Sequence, residues 1–267
     1  MRLFADSVTY NCTLHQAKPT LPYLMMLHGF MGSETIFKPF IGDLCSFCNP
    51  LTIDLAGHGK SECPAEAGLF SSERQRAQIH SVLKRLALNP LYMYGYSMGG
   101  RLAFQLMAGY ADSFAGAIIE SAHCGITDET ERSRRAEVDE KRAIEIESDF
   151  KGFIDNWSRL PLFDDTPPDM KKIYTNAMAS QQPDRIASSL RGFGAGAMLP
   201  VCHELAKTGI PVQLIAGGKD HTYVKHLKET ESLNPLFSLE IVDGCGHRVH
   251  AGKPKEWLHI LRQFMKS

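Results

Sequence analysis

A serine stands between two glycines in Gly95-Tyr96-Ser97-Met98-Gly99, where the apolar run Leu91-Tyr92-Met93-Tyr94 gives way to an amphipathic stretch. In a G-x-S-x-G turn from strand to helix, the flanking glycines allow a bend too tight for side chains and hold the serine hydroxyl out at a helix N-terminus. The helix dipole favours developing negative charge there. A hydroxyl is a weak nucleophile and a weak base until a second group takes its proton, and that group needs an acid to orient it. Asp220 ends Gly217-Gly218-Lys219-Asp220 just after the apolar run Val212 to Ala216, and His247 ends Gly244-Cys245-Gly246-His247 just after Leu239 to Val242. Loops that follow successive parallel strands open on one face, so the order Ser, Asp, His predicts a catalytic relay. His247 takes the Ser97 proton through one ring nitrogen while Asp220 holds the other. His221 and His250 are the competing histidines.

Such a relay generates an oxyanion, which needs backbone donors. His28-Gly29-Phe30 ends the run Tyr23 to Leu27, so the N–H groups of Phe30 and Met98, the residue after the serine, are the expected oxyanion hole. His28 reads as a hydrogen-bonded scaffold residue. Asp54-Leu55-Ala56-Gly57-His58-Gly59-Lys60-Ser61 reads as a structural turn at the end of another strand.

The elements that must position these groups follow from hydrophobic periodicity. Pro22 to Leu27, Asn49 to Leu55, Leu91 to Gly95 and Phe114 to Ile119 are short continuous apolar runs, as expected of strands buried on both faces of a parallel sheet, and the pattern returns with Pro211 to Ala216 and Phe237 to Val242 as strands. Amphipathic stretches separate them: Thr35 to Leu44, Ser71 to Leu86, Gly99 to Tyr110, His221 to Ser232 and Lys253 to Met265. This alternation predicts right-handed βαβ units in an α/β fold with a mostly parallel central sheet flanked by helices. Residues Arg2 to Leu14 add an antiparallel edge pair. Between residues 125 and 208 the alternation stops. Asp128 to Ser148, Phe150 to Leu160, Pro168 to Ser180 and Asp184 to Arg191 read as helices of a lid inserted over the carboxyl ends of the strands, leaving 1–124 and 209–267 as the core.

With 29 Lys+Arg against 30 Asp+Glu and a formal charge of -1, the 267-residue chain lacks the broad basic field of a nucleic-acid binder, so any anion recognition must be local. No apolar run approaches the roughly 18 residues of a membrane span. The opening Met1-Arg2-Leu3-Phe4-Ala5-Asp6 meets an acid before a signal-peptide core could form, so a cytoplasmic location is expected. Seven scattered cysteines suit reduced thiols better than a disulfide framework, and Cys45-Ser46-Phe47-Cys48 reads as buried thiol, with no second pair at zinc spacing. No cofactor, metal or obligatory protein partner is expected.

His28-Gly29-Phe30-Met31-Gly32-Ser33, Gly95 to Arg101, Glu120-Ser121-Ala122-His123, the run Glu131-Arg132-Ser133-Arg134-Arg135-Ala136-Glu137-Val138-Asp139, and Phe153-Ile154-Asp155-Asn156-Trp157 followed by Pro161-Leu162-Phe163 occur in that order. In this the chain resembles the 2-succinyl-6-hydroxy-2,4-cyclohexadiene-1-carboxylate synthases of menaquinone biosynthesis, which have the α/β-hydrolase fold. The resemblance covers most of the chain. It implies a lyase: the triad removes a proton from the succinyl side chain of a cyclohexene precursor, and pyruvate is expelled from its enolpyruvyl ether without addition of water. It also implies that Arg101 and Arg135, with Tyr96 and Trp157, bind a substrate bearing three carboxylates, which guanidinium forks match bidentately. The family's further arginine in a third lid helix is replaced, since Met178 of Ala177-Met178-Ala179-Ser180-Gln181-Gln182 falls where it belongs; either Arg185 or Arg191 then reaches in, or one carboxylate is held differently and the substrate differs. A carboxylesterase, a C–C bond hydrolase or a non-enzymatic receptor would reuse the same fold and triad, but pockets of such hydrolases are usually apolar.

Overall fold

The inner apolar runs become buried strands, whereas the run Phe237 to Val242 becomes an edge strand with Ser238, Glu240 and Ile241 exposed, and the amphipathic stretches between the runs become the helices that cover both sheet faces. The computed structural model describes residues 1–266. The core begins β1 (Arg2–Ala5), β2 (Val8–Leu14), β3 (Tyr23–Leu27), α1 (Ile41–Leu44), β4 (Asn49–Ile53), α2 (Ser72–Leu86), β5 (Leu91–Tyr96), α3 (Met98–Tyr110) and β6 (Gly116–Glu120). Four helices follow: α4 (Glu129–Ser148), α5 (Phe150–Ser158), α6 (Pro168–Ala179) and α7 (Pro183–Phe193). The core then resumes with α8 (Cys202–Leu205), β7 (Val212–Gly217), α9 (His221–Glu231), β8 (Phe237–Val242), α10 (Val249–Gly252) and α11 (Pro254–Phe264).

The sheet order is β1-β2-β4-β3-β5-β6-β7-β8, with β1 and β2 antiparallel and the other six strands mutually parallel. Alternate residues feed opposite faces, as the pleat requires. Met25 and Leu27 join an apolar cluster with residues of α2 and α3, such as Ile79 and Phe104. Leu24 and Met26 join another, with Trp257 of α11 and lid residues such as Ile146 and Ile186. The helix expected over Thr35 to Leu44 is split into a 3-10 segment, Glu34–Phe40, and the single turn α1. Pro39, which has no N–H for a regular helical bond, lies at the break.

The four lid helices form where periodicity placed them. Asp128 caps α4 by accepting the Glu131 N–H at 2.8 Å, and Asp149 separates α4 from α5 by capping the latter through the Gly152 N–H at 2.9 Å. The chain is back on the core earlier than residue 209: the Val201 N–H donates to the Cys124 carbonyl at 2.8 Å, and Leu205 of α8 lies in the core. One expectation is corrected at this junction. Cys124 and Cys202 are joined in a disulfide, 78 residues apart in sequence, while Cys12, Cys45, Cys48, Cys63 and Cys245 are free. The pairing could not be read from spacing, because it depends on the two ends of the insertion meeting in space. Among the described residues no helix is long and apolar enough to cross a membrane, and no His, Cys, Asp or Glu cluster could hold a metal ion.

Candidate active site

The turn after β5 carries Ser97 at φ 54° and ψ −112°, a backbone conformation unfavourable for a residue with a side chain. A Cβ at Gly95 or Gly99 would collide with neighbouring backbone, so those two glycines are dictated by the bend. His247, after β8, directs Nε2 at the Ser97 hydroxyl over 3.1 Å, and its Nδ1 meets the Asp220 carboxylate at 2.7 Å. With Nδ1–H donating to the carboxylate, Nε2 is left as the acceptor for the serine proton. Asp220 and His247 are both buried, so their charges act in a low dielectric. The competing histidines are otherwise used. His221 is exposed. His250 is fully buried and tied to Glu120 at 2.7 Å and to the Tyr174 hydroxyl at 2.6 Å.

The N–H groups of Phe30 and Met98 have no acceptor among the described residues, and both residues line the cavity that holds Ser97. They are the donor pair expected for an oxyanion. His28 behaves as scaffold: its Nε2 accepts the Leu55 N–H at 3.0 Å, its Nδ1 bonds the Gly29 carbonyl at 2.8 Å, and burial pushes its pKa down to about 4. Asp54 likewise builds a turn, accepting the N–H groups of Glu34 at 2.6 Å and Lys60 at 2.8 Å.

The cavity over Ser97 measures about 170 Å³, and residues of the lid form one side of it. Arg101, Arg135 and Arg142 line it together with Trp157, Phe163 and His123. Arg101 is 8% exposed; its Nη1 donates to the Phe193 carbonyl at 3.1 Å, and its guanidinium lies 5.3 Å from the Phe193 ring centre. Burial, aided by the charge of Arg135, lowers its pKa to about 10. Asp139 stands behind the other two arginines, accepting Arg135 Nε at 2.9 Å and lying 3.6 Å from Arg142 Nη1. Arg135 therefore keeps both terminal nitrogens for a ligand. Trp157 packs edge-on against Phe30 and carries the Arg142 guanidinium 5.2 Å from its ring.

Not every expected residue reaches the cavity. Tyr96 is buried beneath it, against the His247 and His250 rings. Neither Arg185 nor Arg191 reaches in: Arg191 is held at the surface by Glu140 and Glu147, and Arg185 lies beside the Gly57 turn. The third arginine of the cavity is Arg142 instead. Its signal was its position seven residues after Arg135 with Asp139 between, which puts all three on one face of α4. Sequence reasoning also passed over His123 and Tyr223. His123 Nδ1 accepts the Gly125 N–H at 3.2 Å, and burial followed by the charge of Arg101 lowers its pKa to about 3, so a neutral ring offers Nε2–H. Gln181, in the stretch that departs from the resembled family, fastens the lid to two core loops, donating to the Gly32 carbonyl at 2.9 Å and accepting the Gly59 N–H at 2.9 Å.

A family model described as "Alpha/beta hydrolase family" matches residues 24–259. The chain belongs to the alpha/beta hydrolase family. Within it, the chain is 28% identical over 248 residues to a putative 2-succinyl-6-hydroxy-2,4-cyclohexadiene-1-carboxylate synthase of Bacillus subtilis (strain 168), covering 91% of this chain and 90% of the relative. The synthase of the same name from Serratia proteamaculans (strain 568) is 25% identical over 94% of this chain and 96% of its own length. Among solved structures, MenH from S. aureus superposes with a TM-score of 0.91 at 25% identity, covering 96% of this chain and 97% of that one. This alpha/beta hydrolase thus combines the superfamily's serine elbow with a lid that presents arginines to it.

Proposed function

We propose that the protein is a lyase that eliminates pyruvate from 2-succinyl-5-enolpyruvyl-6-hydroxy-3-cyclohexene-1-carboxylate, giving 2-succinyl-6-hydroxy-2,4-cyclohexadiene-1-carboxylate in menaquinone biosynthesis. The observation that carries the reading is the convergence of Arg101, Arg135 and Arg142 on a cavity floored by Ser97 and His247. An ester hydrolase has no use for three guanidinium groups facing its serine, whereas a substrate with three carboxylates needs them.

The double-bond positions in the two names locate the proton. A 3-ene becomes a 2,4-diene when the hydrogen on ring carbon 2 is lost, the double bond moves to carbons 2 and 3, and a new one forms between carbons 4 and 5 as the carbon 5–oxygen bond breaks. The acidic hydrogen is therefore the one on the ring carbon that bears the succinyl ketone, not one on the side chain. In our reading Ser97, its proton passed to His247, takes that hydrogen, and the enolate oxygen rests on the Phe30 and Met98 N–H groups. Asp220 stabilises the imidazolium. The enolpyruvate that leaves gains a proton and becomes pyruvate. We place the activity in the cytoplasm, with no cofactor, metal or partner protein.

Pyruvate release, followed through lactate dehydrogenase, tests the assignment. Intact-mass spectrometry during turnover should show no substrate-derived increment on Ser97. Burst cleavage of p-nitrophenyl esters without pyruvate release would return the protein to the hydrolases.

A further inference from the structure

Arg248 directly follows His247 in the chain but lies outside the cavity that the triad opens on. It is 7% exposed, and among the described residues no carboxylate lies within 4 Å of its guanidinium. The groups it touches are neutral. The guanidinium carbon stands 3.8 Å from the centre of the Phe163 ring and 3.6 Å from that of Tyr174, Nη1 reaches Thr166 Oγ1 at 3.4 Å, and Nε has no partner. A buried cation without a counter-ion is costly, and two ring faces offset only part of that cost. A charge kept on such terms is suited to an anion that arrives from outside.

A place for that anion adjoins it. Arg248 borders a second cavity of about 320 Å³, whose rim carries Arg159 and Lys171 and a single acid, Asp164. Lys171 Nζ donates to the Asp164 carbonyl at 3.2 Å. Phe163 is the partition between the two spaces: its ring lines the triad cavity, 6.1 Å from the His247 ring, and covers Arg248 on its other side. The triad cavity, at about 170 Å³, is smaller than the ~300–1,000 Å³ usual for organic ligands.

We propose that this second chamber is a carboxylate-binding subsite, with Arg248 at its floor and Arg159 and Lys171 at its rim, reached from the triad when the Phe163 ring turns aside. The planar guanidinium fork selects a carboxylate over a halide. The proposal deepens the lyase reading and rests on it for the identity of the anion. Two sources share the required chemistry: a carboxylate arm of the bound substrate, and the small 2-oxo carboxylate set free by the elimination.

Calorimetric titration separates them. Sodium pyruvate is titrated into the wild-type protein, into Arg159→Glu/Lys171→Glu, whose sites are exposed, into Arg248→Gln and into Arg101→Ala, with sodium chloride as the control. Substrate is titrated separately on a Ser97→Ala background with and without the double reversal, so that no turnover is needed. Pyruvate binding that weakens at least tenfold in the reversal and in Arg248→Gln, yet persists in Arg101→Ala, supports the chamber as a site for the freed carboxylate. Absent pyruvate binding, combined with a tenfold or greater loss of substrate affinity in the reversal, supports it as the site of a substrate arm. The proposal is overturned if the reversal changes neither binding, or if Arg101→Ala alone abolishes pyruvate binding. Wild-type pyruvate release is measured independently, so failure of the lyase reading leaves the pyruvate titration interpretable.

Discussion

Replacing Arg101 by methionine should make the protein more stable and less active at once. The side chain is almost fully buried, and its direct partner in the chain is a neutral carbonyl. The drop in its pKa from the ordinary 12.5 to about 10 corresponds, at 1.36 kcal/mol per pH unit, to on the order of 3 kcal/mol spent on keeping a charge in that place. Methionine retains an apolar stem and discards the charge, but forfeits the hydrogen bond to Phe193, worth about 1 kcal/mol. A net gain of about 1–2 kcal/mol remains, which raises Tm by roughly 2–4 °C per kcal/mol for a chain of this size class. The same change strips one substrate carboxylate of a charge-assisted partner worth about 1.5–3 kcal/mol, a fall of roughly 10- to 150-fold in kcat/KM. Arg101→Lys should recover only part of that, since a point charge cannot reproduce the fork. The measurements are a melting curve and steady-state pyruvate release for each variant. A lower Tm with unchanged kcat/KM would refute the reasoning, since Arg101 would then serve the fold and not the ligand.

Ser97→Ala, Asp220→Asn and His247→Ala should each lower kcat by at least about 10³ with the fold retained by circular dichroism, because the three act as one unit. Acid should destabilise the protein through His28, His58 and His123, whose pKa values burial lowers to about 4, 3 and 3. Each is neutral when folded and protonated when unfolded below its ordinary 6.5. Their contribution is therefore complete above pH 6.5 and lost as pH falls towards the folded values, by about 1.4 kcal/mol per pH unit for each ring. Urea unfolding at pH 7, 6 and 5 tests this, and a flat profile would contradict it. Cys124→Ser should cost up to about 4–5 kcal/mol on chain-entropy grounds for a 78-residue loop, and a reductant should lower the wild-type Tm but not the variant's.

The triad and the elbow were legible in the sequence because each member follows an apolar run, and β5, β7 and β8 form where those runs lie. The oxyanion pair was legible for the same reason. What escaped depends on tertiary meeting points. Arg142 sits on the helix already marked by Arg135, but which arginines of α4 turn inward is decided by Asp139 and the core beneath. Tyr96 is adjacent to the serine in sequence, yet the alternation of strand side chains carries it to the underside of the site. The disulfide and the burial of Arg248 behind Phe163 involve partners 78 and 85 residues away, where spacing carries no information.

The Cys124–Cys202 bridge has a consequence for how such an enzyme can change. The Cα atoms at the two ends of the insertion stand 5.1 Å apart, a gap that a tight turn spans. Everything between them is a cassette plugged into one socket on the core. Ser97, Asp220 and His247 all belong to the socket, while Arg135, Arg142, Trp157 and Phe163 belong to the cassette. Exchange of that one segment would re-address the same proton relay to a different molecule without disturbing a strand of the sheet.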